Sequence, residues 1–240
     1  RGEELGEKAH LPVWRFRSRI AQARLCEAQG DLEGALAALD AAERLYIRSP
    51  LPDIRPIPAL KARIWVAQGQ WARALAWSRE KGLSPEDGLS LLREFEHITL
   101  ARILIAQYQQ ARVEPALHAA SRLLERLLQA AQTGGRRMSV IDILILQALA
   151  SLAPGNRQAD LAPLERALAL AEPEGLVHVF VAEGRPMAEM LAALAERAGS
   201  PRARDYVRGL LAAFEPRSPG SAAPPAFPDR QASGPRPRDE

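Results

Sequence analysis

Three arginines recur at one spacing, with Arg24, Arg63 and Arg102 standing 39 residues apart from one to the next. A guanidinium is charged at any physiological pH and presents a planar fork of donors that matches a carboxylate or phosphate. An arginine series of this kind points to anion or acidic-partner binding if the fold gathers it. Other chemistry-bearing residues are scattered. His10, His97, His118 and His178 have no second His or Cys at ligand spacing, so no metal site is expected. Cys26 is the only cysteine, which excludes an intrachain disulfide. Because Cys26 falls at a repeated packing position, it reads as core and not as a nucleophile. Glu172 and Glu174 flank Pro173 and read as a helix end and its turn. There is no Gly-x-Ser-x-Gly and no Gly-x-x-x-x-Gly-Lys-Ser/Thr loop. The expectation is a binding protein, not an enzyme, with no cofactor.

The elements that carry the arginines repeat with them. Arg24-Leu25-Cys26-Glu27-Ala28-Gln29-Gly30 aligns with Arg63-Ile64-Trp65-Val66-Ala67-Gln68-Gly69 and with Arg102-Ile103-Leu104-Ile105-Ala106-Gln107-Tyr108. The first two copies continue through Ala35-Leu36-Ala37 and Ala74-Leu75-Ala76, whereas Ala116-Leu117 of the third falls three residues late. A fixed period of this size marks a solenoid, and two helices per repeat fit the length. Ala23, Ala62 and Ala101 keep one position small where paired helices approach closely, and Cys26, Trp65 and Leu104 lie one turn further on the same face. Gly30 and Gly69 suit the left-handed residue after a helix, and Asp31 suits the cap of the next. Leu36 and Leu39, with Ala35 and Ala42, give that second helix an apolar stripe. Equivalent positions stack along a solenoid, so the three arginines should form one stripe. The plainer reading of that stripe is solvation, or pairing with neighbouring acids such as Glu27. Trp65 reads as core, Trp71 and Trp77 as partly exposed.

The rest of the chain keeps helical period. Ser84-Pro85-Glu86-Asp87 reads as an N-terminal cap opening a long helix that runs to about Gln110. Helices are also expected over 113–132, 139–152, 161–171, 187–198 and 201–214, broken by Gly134-Gly135 and by Pro154-Gly155. Residues 1–214 thus read as one helical repeat domain. Residues 215–240, rich in Pro, Ser, Gly, Ala and Arg without periodicity, read as a disordered tail or linker. With 47% hydrophobic residues but only 5% aromatics, the core must be built from Leu, Ala, Ile and Val, which tilts the fold to all-α. The net charge of +3 is spread among alternating signs, so it does not mark a nucleic-acid surface. No apolar run is long enough to span a membrane. The chain opens at Arg1, not Met, and reads as a cytoplasmic piece of a longer protein.

The helix-pair pattern resembles tetratricopeptide repeats, though its period of 39 departs from their usual length of about 34, and Ser78 stands where a bulky residue is usual. A sharper resemblance lies in Leu164-Glu165-Arg166-Ala167-Leu168-Ala169-Leu170-Ala171-Glu172-Pro173-Glu174-Gly175 and in Val179-Phe180-Val181-Ala182-Glu183-Gly184-Arg185-Pro186-Met187. Both look like the end of the helical repeat region in MalT-like activators of the LuxR class. Those proteins join an ATPase domain, a helical repeat domain and a helix-turn-helix. The resemblance implies a right-handed solenoid of antiparallel helix pairs, with Arg24, Arg63, Arg102 and Glu27 facing a concave groove. It further implies an effector-sensing and protein-contact role, with a small-molecule inducer or protein partner and scope for self-association. The alternative is a stand-alone adaptor that clasps a peptide or partner helix. No helix-turn-helix is visible here, so this chain is not expected to contact DNA itself.

Overall fold

The structure is a computed structural model that describes residues 14–45, 53–152, 160–196 and 201–214. The expected tail at 215–240, His10 and the Pro154-Gly155 break lie outside the described residues. Among the described residues the fold is all-α, with eleven α-helices, two short 3-10 turns and no strand.

Four helix pairs follow one another: α1 (Trp14–Ala28) with α2 (Leu32–Arg44), α3 (Ile57–Ala67) with α4 (Trp71–Glu80), α5 (Glu94–Ala111) with α6 (Glu114–Thr133), and α7 (Arg137–Ala150) with α8 (Ala162–Ala171). Each pair packs within itself, and α5 also packs on α3 and on α7. The first helices of successive pairs therefore form an inner layer. Three further helices, α9 (His178–Val181), α10 (Arg185–Ala195) and α11 (Pro201–Phe214), close the far end. There the Phe180 ring meets the Tyr206 ring edge-on at 6.5 Å between centroids.

The repeat signature has a direct physical content. Ala62 and Ala101 are fully buried and Ala23 nearly so, letting neighbouring helices close up. Gly30 (φ +78°) and Gly69 (φ +75°) end α1 and α3 in the same way. In each, the glycine amide bonds the carbonyl three residues back, and the next amide bonds the carbonyl five back: Asp31 N to Cys26 O at 2.9 Å, Gln70 N to Trp65 O at 2.7 Å. A Cβ is disfavoured at that φ, so glycine is required twice by the same turn. Asp31 then caps α2 by accepting from the Gly34 amide at 2.8 Å.

The third copy shows what happens when the glycine is missing. With Tyr108 in its place, α5 runs on to Ala111 and turns at Arg112, whose φ of +55° is the only positive value at a non-glycine among the described residues. The Arg112 amide closes the turn on Tyr108 O at 2.9 Å. One extra turn of helix accounts for the late Ala116-Leu117.

Three expectations need correction. The helix anticipated from Ser84 does not begin there. Asp87 instead accepts from the Ser84 amide at 3.0 Å and faces His97 Nε2 at 3.2 Å. Arg126 captures the Pro85 and Asp87 carbonyls that a helix would have needed. The segment is a folded turn, and helical structure starts with the 3-10 turn at Leu91–Arg93. The tryptophans are also placed differently: Trp77 is buried at 6% exposure, whereas Trp65 is only partly buried, with the Arg73 guanidinium over its ring at 4.2 Å. Cys26 is likewise half-buried against the N-terminal core and not fully enclosed.

Candidate ligand groove

The inner layer encloses one side of a cavity of about 410 Å³. Its wall is supplied by α1, α3, α5 and α7, and its end by the segment around α9. Each helix contributes residues one or two turns apart, the spacing that places side chains on one face. Thus Arg24 and Glu27 come from α1, Arg63 from α3, Arg102 from α5 and Asp142 from α7, while Glu183 follows α9 and Arg55 precedes α3. All four residues named from the sequence, Arg24, Glu27, Arg63 and Arg102, line this cavity.

The arginines do not share one state. Arg102 grips Glu183 with both terminal nitrogens, at 2.5 and 2.6 Å, in a bidentate pair that is largely buried. Arg63 meets Asp142 at 2.9 Å, donates from Nε to Thr99 Oγ1 at 3.3 Å and lies over the Phe95 ring at 4.3 Å. Glu27, the partner the sequence suggested, makes neither bond. Burial alone would raise the Asp142 carboxyl, but Arg63 and Arg102 outweigh it and hold the group below the usual carboxylate range. Burial likewise opposes the charge on Arg102, yet Glu183 overrides it and pushes the guanidinium above its ordinary value. The Arg102 Nε itself is buried without a hydrogen-bond partner.

Arg24 and Arg55 differ. Both are exposed at the cavity mouth, and among the described residues neither has a carboxylate partner. Arg55 lies over the Phe95 ring at 5.2 Å. Partial burial, then repulsion from Arg63 and Arg24, lower its pKa, with Asp142 offsetting part of the effect. Arg55, Phe95, Asp142 and Glu183 were not named from the sequence. Asp142 did carry a signal, as the one charge inside the apolar run 138–152. Arg55 carried none, since it lies outside the repeat.

No helix among the described residues is long and apolar enough to cross a membrane. Nor do those residues gather three His, Cys, Asp or Glu side chains that could hold a metal ion.

Stacked helix pairs around a shared concave wall define a tetratricopeptide-type helical repeat protein whose groove is suited to holding something. The family model described as the MalT-like TPR region matches residues 1–197, and the chain belongs to that family. The comparison with curated proteins and the comparison with solved structures each returned no match.

Proposed function

We propose that this chain is the effector-sensing and protein-contact region of a LuxR-class, ATP-dependent transcription regulator that works in the cytoplasm. Binding, without catalysis, is its task. The observation that carries this reading is the groove. One partly enclosed cavity is lined by four successive inner helices and closed by α9, with one ion pair joining α3 to α7 and another joining α5 to the segment after α9. Ligand pockets in proteins are typically about 300–1,000 Å³, so about 410 Å³ suits one small molecule. A ligand touching α1, α3, α5 and α7 at once fixes the curvature of the stack. Fixing curvature biases the surface offered to other domains or to a second copy, which is the thermodynamic content of sensing.

The test is thermal stability against sugars, nucleotides and organic acids. A ligand at about 100 times its Kd should raise Tm by roughly 5–10 °C. The shift should be lost in Phe95→Ala and in Asp142→Asn, judged against each variant's own unliganded Tm. If no small molecule shifts Tm while a peptide or partner helix does, the chain is an adaptor and the sensing reading fails.

A further inference from the structure

We propose that the ligand of this groove is a small organic anion, with its charged head held by Arg24 and Arg55 at the mouth and its apolar body against Phe95 and Leu60. The inference rests on the groove being a small-molecule site and adds the chemistry of what enters it.

The argument begins with charge matching. The cavity is lined by four arginines, Arg24, Arg55, Arg63 and Arg102, against three carboxylates, Glu27, Asp142 and Glu183. Two of the arginines are satisfied in place, Arg63 by Asp142 and Arg102 by Glu183. Their charges are therefore engaged in holding α3 to α7 and α5 to the segment after α9, although the buried Arg102 Nε makes no hydrogen bond. The two that remain come from separate elements, the end of α1 and the turn before α3, yet they are close enough to disfavour each other's charge. Only Glu27 is left on the lining to answer them, and it forms no ion pair with either. Like charges brought together without a counter-ion cost free energy that an arriving anion relieves.

Geometry agrees with charge. Stacking on Phe95 restrains the Arg55 side chain while, among the described residues, its guanidinium N–H donors have no partner. A restrained guanidinium with free donors binds a planar oxyanion at lower entropic cost than a mobile one. Below the mouth, Phe95 is 6% exposed and Leu60 partly buried, so the wall next to the arginines is apolar. A head of two or three oxygens on a short hydrocarbon body fits both parts, and the cavity volume limits it to one small molecule.

Isothermal titration at low salt with hexanoate, hexyl phosphate, hexanol and acetate tests this. Hexanoate or hexyl phosphate should bind, and which of the two is tighter distinguishes a carboxylate from a phosphate head. Hexanol, lacking the charge, and acetate, lacking the body, should each bind at least about tenfold more weakly. Arg24→Gln and Arg55→Gln should each weaken the anion by about tenfold. Arg24→Gln should leave the Tm of the empty protein unchanged, because among the described residues that side chain has no carboxylate partner to lose, whereas Arg55→Gln should lower it only slightly, through loss of the stacking on Phe95. Hexanol binding as tightly as hexanoate, unchanged affinity in both variants, or no anion binding at all overturns the proposal. A neutral sugar that binds regardless of Arg24 and Arg55 removes the anion while leaving the sensing role intact. If no compound of any kind binds, both fall together.

Discussion

The first helix pair shares its repeat signature with the two that follow but is held by a different core from the rest of the molecule. Around α1 and α2 the buried cluster consists of Ala23, Ala35, Ala38, Leu39, Ala42, Ile57 and Ile64, four of them alanines. From α3 onward one continuous cluster runs to α11, with Phe95, Ile141, Leu144, Leu164, Phe180 and Met187 among its members. On α1 only Ala23 is buried, and Leu25 is 58% exposed. The N-terminal pair is joined to the rest through α3, aided by Lys61, which bridges Asp40 and Glu43, and by Gln68 to Glu33 at 2.8 Å. Buried apolar area scales the stabilisation, so alanine sets helix spacing without supplying much of it. Arg24 rides on this weakly held pair, while Arg63, Arg102, Asp142 and Glu183 belong to the firmly packed part. A ligand reaching from one to the other therefore docks a loose element onto a fixed one.

The sharpest way to break the comparison is in the cores. Phe180→Ala should cost about 4 kcal/mol and shift the whole unfolding curve in urea, because the ring is fully buried in the continuous cluster. Leu39→Ala should cost about 2–3 kcal/mol, and its loss should appear in amide exchange of α1 and α2 before α5–α8 respond. If both variants unfold the chain in one identical transition, the N-terminal pair is not a separate unit.

Next in size are the groove pairs. Glu183→Ala leaves Arg102 buried without its partner and should cost about 3 kcal/mol, measured by chemical denaturation. The same pairs set the acid limit. Asp142 and Asp87 both titrate below the ordinary carboxylate value of about 3.9, Asp87 chiefly through the Ser84 amide. A group whose folded pKa is depressed adds stability that is full above the unfolded value and is lost as pH falls through the folded one. Tm should thus hold steady above about pH 5 and fall steeply below pH 4, and Asp142→Asn should flatten that fall.

Smaller still is the joint between the two regions. Lys61→Ala should cost about 0.5–1 kcal/mol, since its partners on α2 are half exposed. Exchange should speed up in α1 and α2 while α5–α8 stay unchanged. Burial opposes the Lys61 charge, but the bonds to Asp40 and Glu43 prevail and raise its pKa. Its contribution is therefore full below the usual lysine value and fades as pH rises through the raised one. Smallest of all, Arg112→Gly should stabilise by about 0.5–1 kcal/mol, because the left-handed turn at φ +55° suits a residue without Cβ. A loss of stability there would mean that the Arg112 side chain contributes more than its backbone strain costs.

Much of the scaffold was legible because it rests on local rules. A small residue, a bulky one a turn later and a glycine after four more dictate a helix, its packing face and its left-handed end, and the structure places Ala23, Ala62, Gly30 and Gly69 accordingly. The fourth pair escaped the repeat count because Val140, Ile141 and Ile143 replace the small and polar markers in a helix buried on more than one side. The capping motif at Ser84 misled, since Arg126, 39 to 41 positions away, takes the carbonyls that decide whether a helix forms.

By itself the sequence determined the all-helical class, the 39-residue period and the meeting of Arg24, Arg63 and Arg102 on one wall, because equivalent positions of stacked repeats face the same way. Only the tertiary structure decided which arginines are spent and which are free. Arg63 finds Asp142 79 positions on, and Arg102 finds Glu183 81 positions on. Arg55 reaches the cavity from outside the repeat altogether. Pairing across such separations depends on how many residues each turn inserts and how far each helix runs. Small packing differences fix those quantities, and no periodicity encodes them.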